Sequence, residues 1–181
     1  MRKGLLLLNN QIEDIEALAT RALLVRVGYE IDTFTLEQSK SLKTAYGLDI
    51  QADFLIKELN LNNYDFVVLP GGKHVFNFIN NSVELDKVIN SFNNENKLIA
   101  AICAAPLFLN NLEILKNRDY VVFHGLEDQI NGNFLEEAKV VTTDNIITAR
   151  SAGVVYDFVF EILKYYNDFT RLTSLKHDII Y

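Results

Sequence analysis

Cys103 is the only cysteine of the chain, and it stands where an apolar run gives way to the start of a helix. The run Leu98–Ile102 is typical of a buried parallel strand, and Pro106 suits the first turn of a helix, where its missing N–H costs nothing. A thiol at such a junction faces backbone N–H groups, which stabilise a thiolate or an oxyanion, as at the nucleophile elbow of hydrolases. A free cysteine is also often a small buried hydrophobe, so packing and nucleophilic chemistry both stay open.

A carboxylate falls on the apolar face of the first predicted helix, which runs from Ile12 to Val27 and stops at Gly28. The apolar stripe of this helix consists of Ile12, Ile15, Ala19, Leu23 and Val27. Glu16 follows Ile12 by one helical turn and therefore shares that stripe. Burial there raises the pKa of a carboxyl group, and the neutral acid can donate a hydrogen bond to a thiolate or exchange a proton near pH 7. The alternative is a glutamate at the exposed edge of the stripe.

A glycine pair follows a third apolar segment, Phe66–Leu69, in the order Pro70-Gly71-Gly72. Glycines permit positive φ and a close backbone approach, so their N–H groups can line an anion pocket. Ligands of parallel sheets bind beyond the carboxyl ends of the strands, where both Gly71 and Cys103 are expected. The motif is weak alone, because most such sequences are simple turns.

Apolar runs alternate with helical patterns along the chain. The predicted strands are Leu5–Leu8, Tyr29–Phe34, Phe66–Leu69, Leu98–Ile102, Tyr120–Phe123, Lys139–Thr142 and Ile146–Ala149, and the predicted helices are Ile12–Val27, Ala52–Leu59, Val83–Phe92 and Ala152–Tyr165. This alternation indicates an α/β fold with a mainly parallel sheet covered on both faces. No linker or repeat interrupts it, so residues 1–181 are expected to form a single domain. The tail 168–181 is expected to pack against the body as a short helix or a sheet edge.

The composition is that of a globular protein, with 181 residues, 49% hydrophobic and 23% charged. A net charge of −7 argues against nucleic acid or an anionic membrane surface as a partner. No apolar stretch approaches the roughly 20 residues that a membrane span needs. With one cysteine and no export signal, we expect a cytoplasmic location. No His, Cys, Asp or Glu spacing resembles a metal site, and no phosphate-binding loop or dinucleotide fingerprint is present, so no metal or cofactor is expected.

Together these segments resemble the DJ-1/PfpI superfamily, and within it the DJ-1/ThiJ/YajL branch. The resemblance rests, in chain order, on Glu13–Glu16, Val67–Gly72, Ala100–Pro106, His124 and Thr148–Gly153. It implies a flavodoxin-like three-layer α/β/α sandwich of the class I glutamine amidotransferase-like type. It also implies a homodimer.

For the site, the resemblance implies that Cys103 is a reactive thiol on a strained elbow and that a protonated Glu16 is hydrogen-bonded to it. The backbone N–H groups of Gly71, Gly72 and Ala104 are implied to form an oxyanion pocket. A thiol activated in this way is expected to have a depressed pKa.

Two further residues come from the same resemblance. His124 is implied to lie near the thiol, and Arg26 to approach the site of the neighbouring subunit. His74 is expected in a solvated loop, with the rim of the pocket as the alternative, and His177 is expected at the surface in the polar tail. A histidine directly after the cysteine marks the peptidase branch, and here Ala104 takes that place, so peptidase activity is disfavoured. Amidotransferase activity is disfavoured because no downstream His-x-Glu pair occurs.

The sequence is compatible with three functions. The first is a cofactor-independent glyoxalase or deglycase, in which Cys103 and Glu16 act on small α-oxoaldehydes. The resemblance implies these reactive carbonyl compounds as the substrates. The second is a non-enzymatic oxidative-stress sensor or chaperone in which Cys103 is oxidised to sulfinate. The third is a binding relative with a vestigial site.

Overall fold

The computed structural model describes all residues from 1 to 181. The strands are β1 (Lys3–Leu7), β2 (Glu30–Thr35), β3 (Ser41–Lys43), β4 (Asp49–Gln51), β5 (Phe54–Leu55), β6 (Phe66–Leu69), β7 (Leu98–Ile102), β8 (Asp119–Tyr120), β9 (Asn133–Phe134), β10 (Val140–Thr143) and β11 (Ile146–Ala149). The α-helices are α1 (Thr20–Arg26), α2 (His74–Phe78), α3 (Val83–Asn94), α4 (Pro106–Asn111), α5 (Val155–Tyr165) and α6 (Phe169–Asp178). A π-helical segment, Ile15–Ala19, leads into α1.

Seven strands form the central sheet in the order β10-β11-β7-β6-β1-β2-β5. Every neighbouring pair is parallel except β10 and β11. Two small sheets lie outside it, the antiparallel β3–β4 hairpin and the parallel β8–β9 pair. The predicted flavodoxin-like α/β fold with a mainly parallel sheet is therefore confirmed.

The sheet separates two apolar cores, because alternate side chains of a strand point to opposite faces. On β1, Leu6 packs into the core that α1, α5 and α6 cover, whereas Leu5 and Leu7 pack into the core that α3 and α4 cover. Strands buried on both faces explain why the central segments read as continuous apolar runs rather than alternating ones. The result is the expected three-layer sandwich.

One predicted helix is wrong. Residues 52–59 contain the edge strand β5 and a 3₁₀ turn, Ile56–Glu58, instead of a helix. Phe54 pairs with Phe34 of β2 at the edge of the central sheet, and this long-range pairing overrides the local pattern. Short apolar runs cannot be assigned to helix or strand by periodicity alone.

The predicted strand Tyr120–Phe123 is shorter than expected, because β8 ends at Tyr120. Beyond Tyr120 the backbone makes hydrogen bonds that belong to no β-ladder. Val121 N–H donates to Thr148 Oγ1 at 3.0 Å, and Phe123 N–H donates to Cys103 O at 2.9 Å. The segment is thus tied to the end of β7, where Cys103 lies.

The tail forms a helix, α6, which packs against α5. Its buried side chains are Leu172 and Leu175. Of the two arrangements expected for this segment, the helix is the one that occurs. None of the helices is both long enough and apolar enough to cross a membrane.

Candidate active site

Cys103 occupies a strained backbone position between β7 and α4. Its φ is 64°, in the left-handed region that non-glycine residues rarely adopt. The position is held from both sides, because Cys103 N–H donates to Ala149 O at 2.9 Å while Cys103 O accepts from Phe123 N–H at 2.9 Å. The thiol is therefore fixed at the carboxyl end of the sheet, and the residue is 9% exposed.

Glu16 is completely buried, so its predicted burial is confirmed and the exposed-edge alternative is wrong. Ile15, which was predicted on the same apolar stripe, is instead 53% exposed. It lies in the π-helical segment, a geometry that inserts an extra residue into a turn and often occurs at functional sites. Its Oε2 accepts a hydrogen bond from Gly71 N–H at 2.9 Å. Its Oε1 is buried without a hydrogen-bond partner. An unpaired buried carboxylate oxygen is costly, so this arrangement favours the protonated acid.

Gly71 brings Cys103 and Glu16 to the same spot. A Cβ atom placed on Gly71 would lie 2.6 Å from Cys103 Cβ, 2.7 Å from Glu16 Oε2 and 3.0 Å from Cys103 Sγ. The first two distances are shorter than real Cβ contacts, and the third is tight. The missing side chain of Gly71 is therefore what allows the thiol and the carboxyl group to share one place.

The two groups influence each other's ionisation. Burial raises the pKa of Glu16 to about 7, and contact with the Cys103 thiol offsets part of that effect. While Glu16 is ionised, burial first and then its negative charge raise the pKa of Cys103, and the Ala104 N–H lowers it in part. When Glu16 is protonated, that repulsion is absent and its hydroxyl can donate to sulfur. The pair therefore titrates as a unit. The expected depressed pKa of the thiol is wrong for this structure, because burial, the largest cause, raises that pKa whatever the charge of Glu16.

One of the three predicted oxyanion donors is already engaged within the protein. Gly71 N–H is already donated to Glu16, so it is not available to a substrate. Gly72 and Ala104 line the cavity above the thiol, and neither N–H donates to a backbone carbonyl. Two of the three predicted donors thus have no backbone acceptor, and their role at an oxyanion stays a prediction. Gly72 has a φ of 113°, and a Cβ there would lie 2.5 Å from Gln11 O.

An open cavity of about 480 Å³ lies above Cys103. His124 lines it together with Glu16, Gly72 and Ala104. The His124 ring is exposed and lies 5.4 Å from the ring of Phe123, centroid to centroid. The structure thus brings all of these predicted residues around one space.

Arg26 lies elsewhere. It is exposed at the end of α1 and lines a different groove with Arg171 and Asp178. It makes no contribution to the cavity above Cys103 of its own chain. No group of three His, Cys, Asp or Glu side chains is placed to hold a metal ion.

His74 was expected in a solvated loop, and this expectation is wrong. The side chain is completely buried, and burial lowers its pKa to about 4, so the ring is neutral at pH 7. Its Nε2–H donates to Pro70 O and Gly71 O, each at 3.1 Å, and its Nδ1 accepts from Asn9 Nδ2 at 3.2 Å. His74 therefore fixes the glycine loop from behind. The sequence contained only a weak sign that His74 is buried, namely the polar residue Asn9 at the end of an apolar strand.

Comparisons with known proteins agree with this geometry. A sequence model described as the DJ-1/PfpI family matches residues 2–165. Protein dj-1beta of Drosophila melanogaster is 26% identical over 163 residues, which cover 89% of this chain and 87% of that protein. Deglycase PfpI of Pyrococcus furiosus is 27% identical over 164 residues, covering 90% of this chain and 98% of that protein.

Solved structures give the same result at the level of the fold. A mutant of the DJ-1 superfamily protein STM1931 from Salmonella typhimurium superposes with a TM-score of 0.93 at 25% identity, covering 100% of this chain and 99% of that one. Drosophila melanogaster DJ-1beta superposes with a TM-score of 0.93 at 24% identity, covering 99% and 97%. With the family model matched over nearly the whole chain, this protein belongs to the DJ-1/PfpI family.

Proposed function

We propose that this protein converts α-oxoaldehydes into hydroxy acids without a cofactor. The observation that carries the proposal is the pair formed by Cys103 and Glu16, packed against Gly71, in which the carboxyl group has a pKa of about 7. A group that titrates near 7 both accepts and returns a proton at neutral pH. Deglycase PfpI, at 27% identity, is a relative whose name matches this chemistry.

The reaction begins when the Cys103 sulfur bonds to the aldehyde carbon and the aldehyde oxygen takes up the thiol proton, which gives a hemithioacetal. Glu16, as the carboxylate, then removes the hydrogen of that carbon as a proton, and an enediolate forms. The protonated Glu16 returns this proton to the neighbouring carbon, and the hydroxyl proton passes to the neighbouring oxygen, which leaves a thioester of a 2-hydroxy acid. Water cleaves the thioester, releasing the acid and the free thiol. One water molecule is consumed, and no external oxidant or reductant is needed.

The remaining groups stabilise charge on oxygen along this path. The N–H groups of Gly72 and Ala104, which donate to no backbone carbonyl, are the donors for the substrate oxyanion. His124, exposed at the rim of the cavity, assists proton transfer to and from the substrate oxygen. These roles follow from the lining of one cavity rather than from a bound ligand.

The test is the rate of lactate formation from methylglyoxal by the wild type and two variants. We expect Cys103→Ala to abolish turnover and Glu16→Gln to lower kcat by about 100-fold or more, the usual contribution of a general base. Glu84→Gln makes the same chemical change at an exposed position of α3 and serves as the control. Equal rates in all four proteins would rule the proposal out.

A second candidate is redox sensing, and the Glu16 carboxyl group favours it, because its Oε2 and Cys103 Sγ lie against the same point of Gly71. A protonated carboxyl group there can donate a hydrogen bond to a cysteine sulfinate. Because Cys103 is the only cysteine, oxidation by peroxide cannot end in an intramolecular disulfide. Intact mass after mild peroxide treatment should show a gain of about 32 Da, two oxygens, in wild type but not in Cys103→Ala. Cys103→Ala keeps Met1, the other sulfur-containing residue of the chain, and is therefore also the control for oxidation of methionine.

We further infer a homodimer in the cytoplasm. Ile15 and Val25, in the π-helical segment and α1, are 53% and 43% exposed although apolar, and Arg26 follows Val25 on the same surface. A second copy that covers these side chains places Arg26 against the partner. Light scattering should give twice the mass of one chain, and Val25→Glu should shift the mass toward that of one chain.

A further inference from the structure

Three aromatic side chains from separate parts of the chain line the cavity above Cys103. They are Tyr46 in the turn between β3 and β4, Phe76 in α2 and Phe123 beyond β8. Their exposed fractions are 79%, 55% and 39%. Single exposed apolar residues are common, but several grouped around one reactive centre mark a binding surface.

The backbone that carries these rings is held close to the thiol. Phe123 N–H donates to Cys103 O at 2.9 Å, so its residue is tied to the nucleophile itself. Tyr46 N–H donates to Asp14 Oδ2 at 3.3 Å, which holds the hairpin turn against the start of the first helix. Phe76 belongs to α2, which begins two residues after Gly72. The aromatic wall is therefore built by the same elements that build the site.

The cavity is much larger than the smallest α-oxoaldehydes need. Its volume of about 480 Å³ lies within the roughly 300–1,000 Å³ typical of pockets for drug-sized ligands. Methylglyoxal carries only a methyl group beside its two carbonyls and leaves the aromatic wall in contact with water. A planar aryl group at that position covers more of this apolar lining than a methyl group does and can stack against the rings.

The charges along the rim give no preference for an ionic substituent. Glu13 and Lys73 both line the cavity and carry opposite charges. Beside the thiol, Glu16 disfavours an anionic group when it is ionised. The lining is thus suited to a neutral, flat, apolar substituent.

We propose that the preferred substrates are aryl α-oxoaldehydes, with phenylglyoxal preferred to methylglyoxal. This inference rests on the function proposed above and names its substrate class. The reaction has the same balance: phenylglyoxal and one water give mandelate, and Cys103 is regenerated. Phe76 and Phe123 are the specificity-determining residues, and Tyr46 closes the wall from the hairpin.

The first test compares kcat/KM for the two aldehydes. We expect the ratio of phenylglyoxal to methylglyoxal to be about tenfold or more in the wild type, the range that apolar pockets achieve. Phe76→Ala and Phe123→Ala should each lower this ratio several-fold, mainly through KM. Both side chains are partly exposed, so their removal leaves the core intact. Phe169→Ala, at a position 56% exposed in α6 and away from the cavity, is the matched control and should leave the ratio unchanged.

A second test does not require turnover. Phenacyl chloride and chloroacetone both alkylate a thiolate, which displaces chloride and forms a thioether, and they differ in an aryl against a methyl group. With rates normalised to glutathione, Cys103 should prefer phenacyl chloride by about tenfold, and Phe76→Ala should reduce that preference.

The two tests separate the two ideas. Turnover of methylglyoxal that depends on Cys103, with no preference for aryl compounds in either test, overturns the substrate class and leaves the proposed function standing. An aryl preference in alkylation without turnover of either aldehyde overturns the proposed function and supports aryl recognition by this cavity.

Discussion

At the scale of single residues, the site depends on two groups that share one position. Cys103 and Glu16 both contact the space that a side chain on Gly71 would occupy. Neither group can lose its proton without changing the other, because little water screens them. The proton count of the pair, rather than the pKa of one thiol, therefore sets the reactivity of the site.

The pH profile of Cys103 alkylation by iodoacetamide tests this coupling. Glu16 carries a charge above pH 7, and that charge raises the pKa of the thiol. We expect two titration steps in the wild type. Glu16→Gln should give a single step, at a pH below the upper step of the wild type, because the carboxylate is gone. Coincident profiles would contradict the coupling.

The same carboxyl group affects stability with a definite sign. The pKa of Glu16 is about 7 in the folded protein against an ordinary value of 4.5, so the folded state binds the proton more tightly. Stability from this group is present below pH 4.5 and is lost as the pH rises through 7. Glu16→Gln should therefore gain up to about 3 kcal/mol relative to wild type between pH 4 and pH 8. Urea unfolding at the two pH values measures the gain, and the absence of any pH-dependent difference would refute it.

At the scale of elements, the loop between β6 and α2 lies at the centre of the site. It packs against Cys103 and Glu16 on one side, and His74 holds it on the other through the carbonyls of Pro70 and Gly71. A change in the packing of the loop is therefore expected to change the chemistry of the thiol as well.

Gly71→Ala tests how tightly this loop is packed. Its Cβ would lie 2.6 Å from Cys103 Cβ, so the backbone must shift. We expect a loss of stability of about 1–3 kcal/mol, as for overpacking elsewhere, together with loss of activity. Gly153→Ala is the control, since no atom lies within 4 Å of its added Cβ. Thermal unfolding measures both, and equal melting temperatures would show that the loop has room.

His74 gives the loop a sensitivity to acid. Its pKa is about 4 in the folded protein and 6.5 ordinarily, so below pH 6.5 the unfolded state binds more protons. Stability then falls as the pH drops from 6.5 to 4, by up to about 3 kcal/mol. This slope is opposite in sign to that of Glu16 and should disappear in His74→Gln. Urea unfolding at pH 7 and pH 4.5 checks it, and an identical slope in variant and wild type would contradict it.

At the scale of the whole molecule, a single sheet positions the site while the helices bury its two faces. The carboxyl ends of β1, β6 and β7 meet at one edge, which is where the first helical turn, the glycine loop and the cysteine elbow converge. The C-terminal helix α6 lies against α5 and is not part of that edge. Its buried side chains, Leu172 and Leu175, join the core on one face of the sheet.

Sequence alone determined the features that arise from local order. The alternation of strands and helices, the junction at Cys103 and the place of Glu16 on the apolar stripe all follow from periodicities of two and 3.6 residues. Tertiary structure decided what depends on neighbours far along the chain. The buried ring of His74 is hydrogen-bonded to Asn9. Gly71 N–H donates to Glu16 and is therefore not available to a substrate. Residues 54–55 form a strand because β2 pairs with them. Such contacts leave no periodic trace in the sequence, since each is made by one particular pair of distant residues.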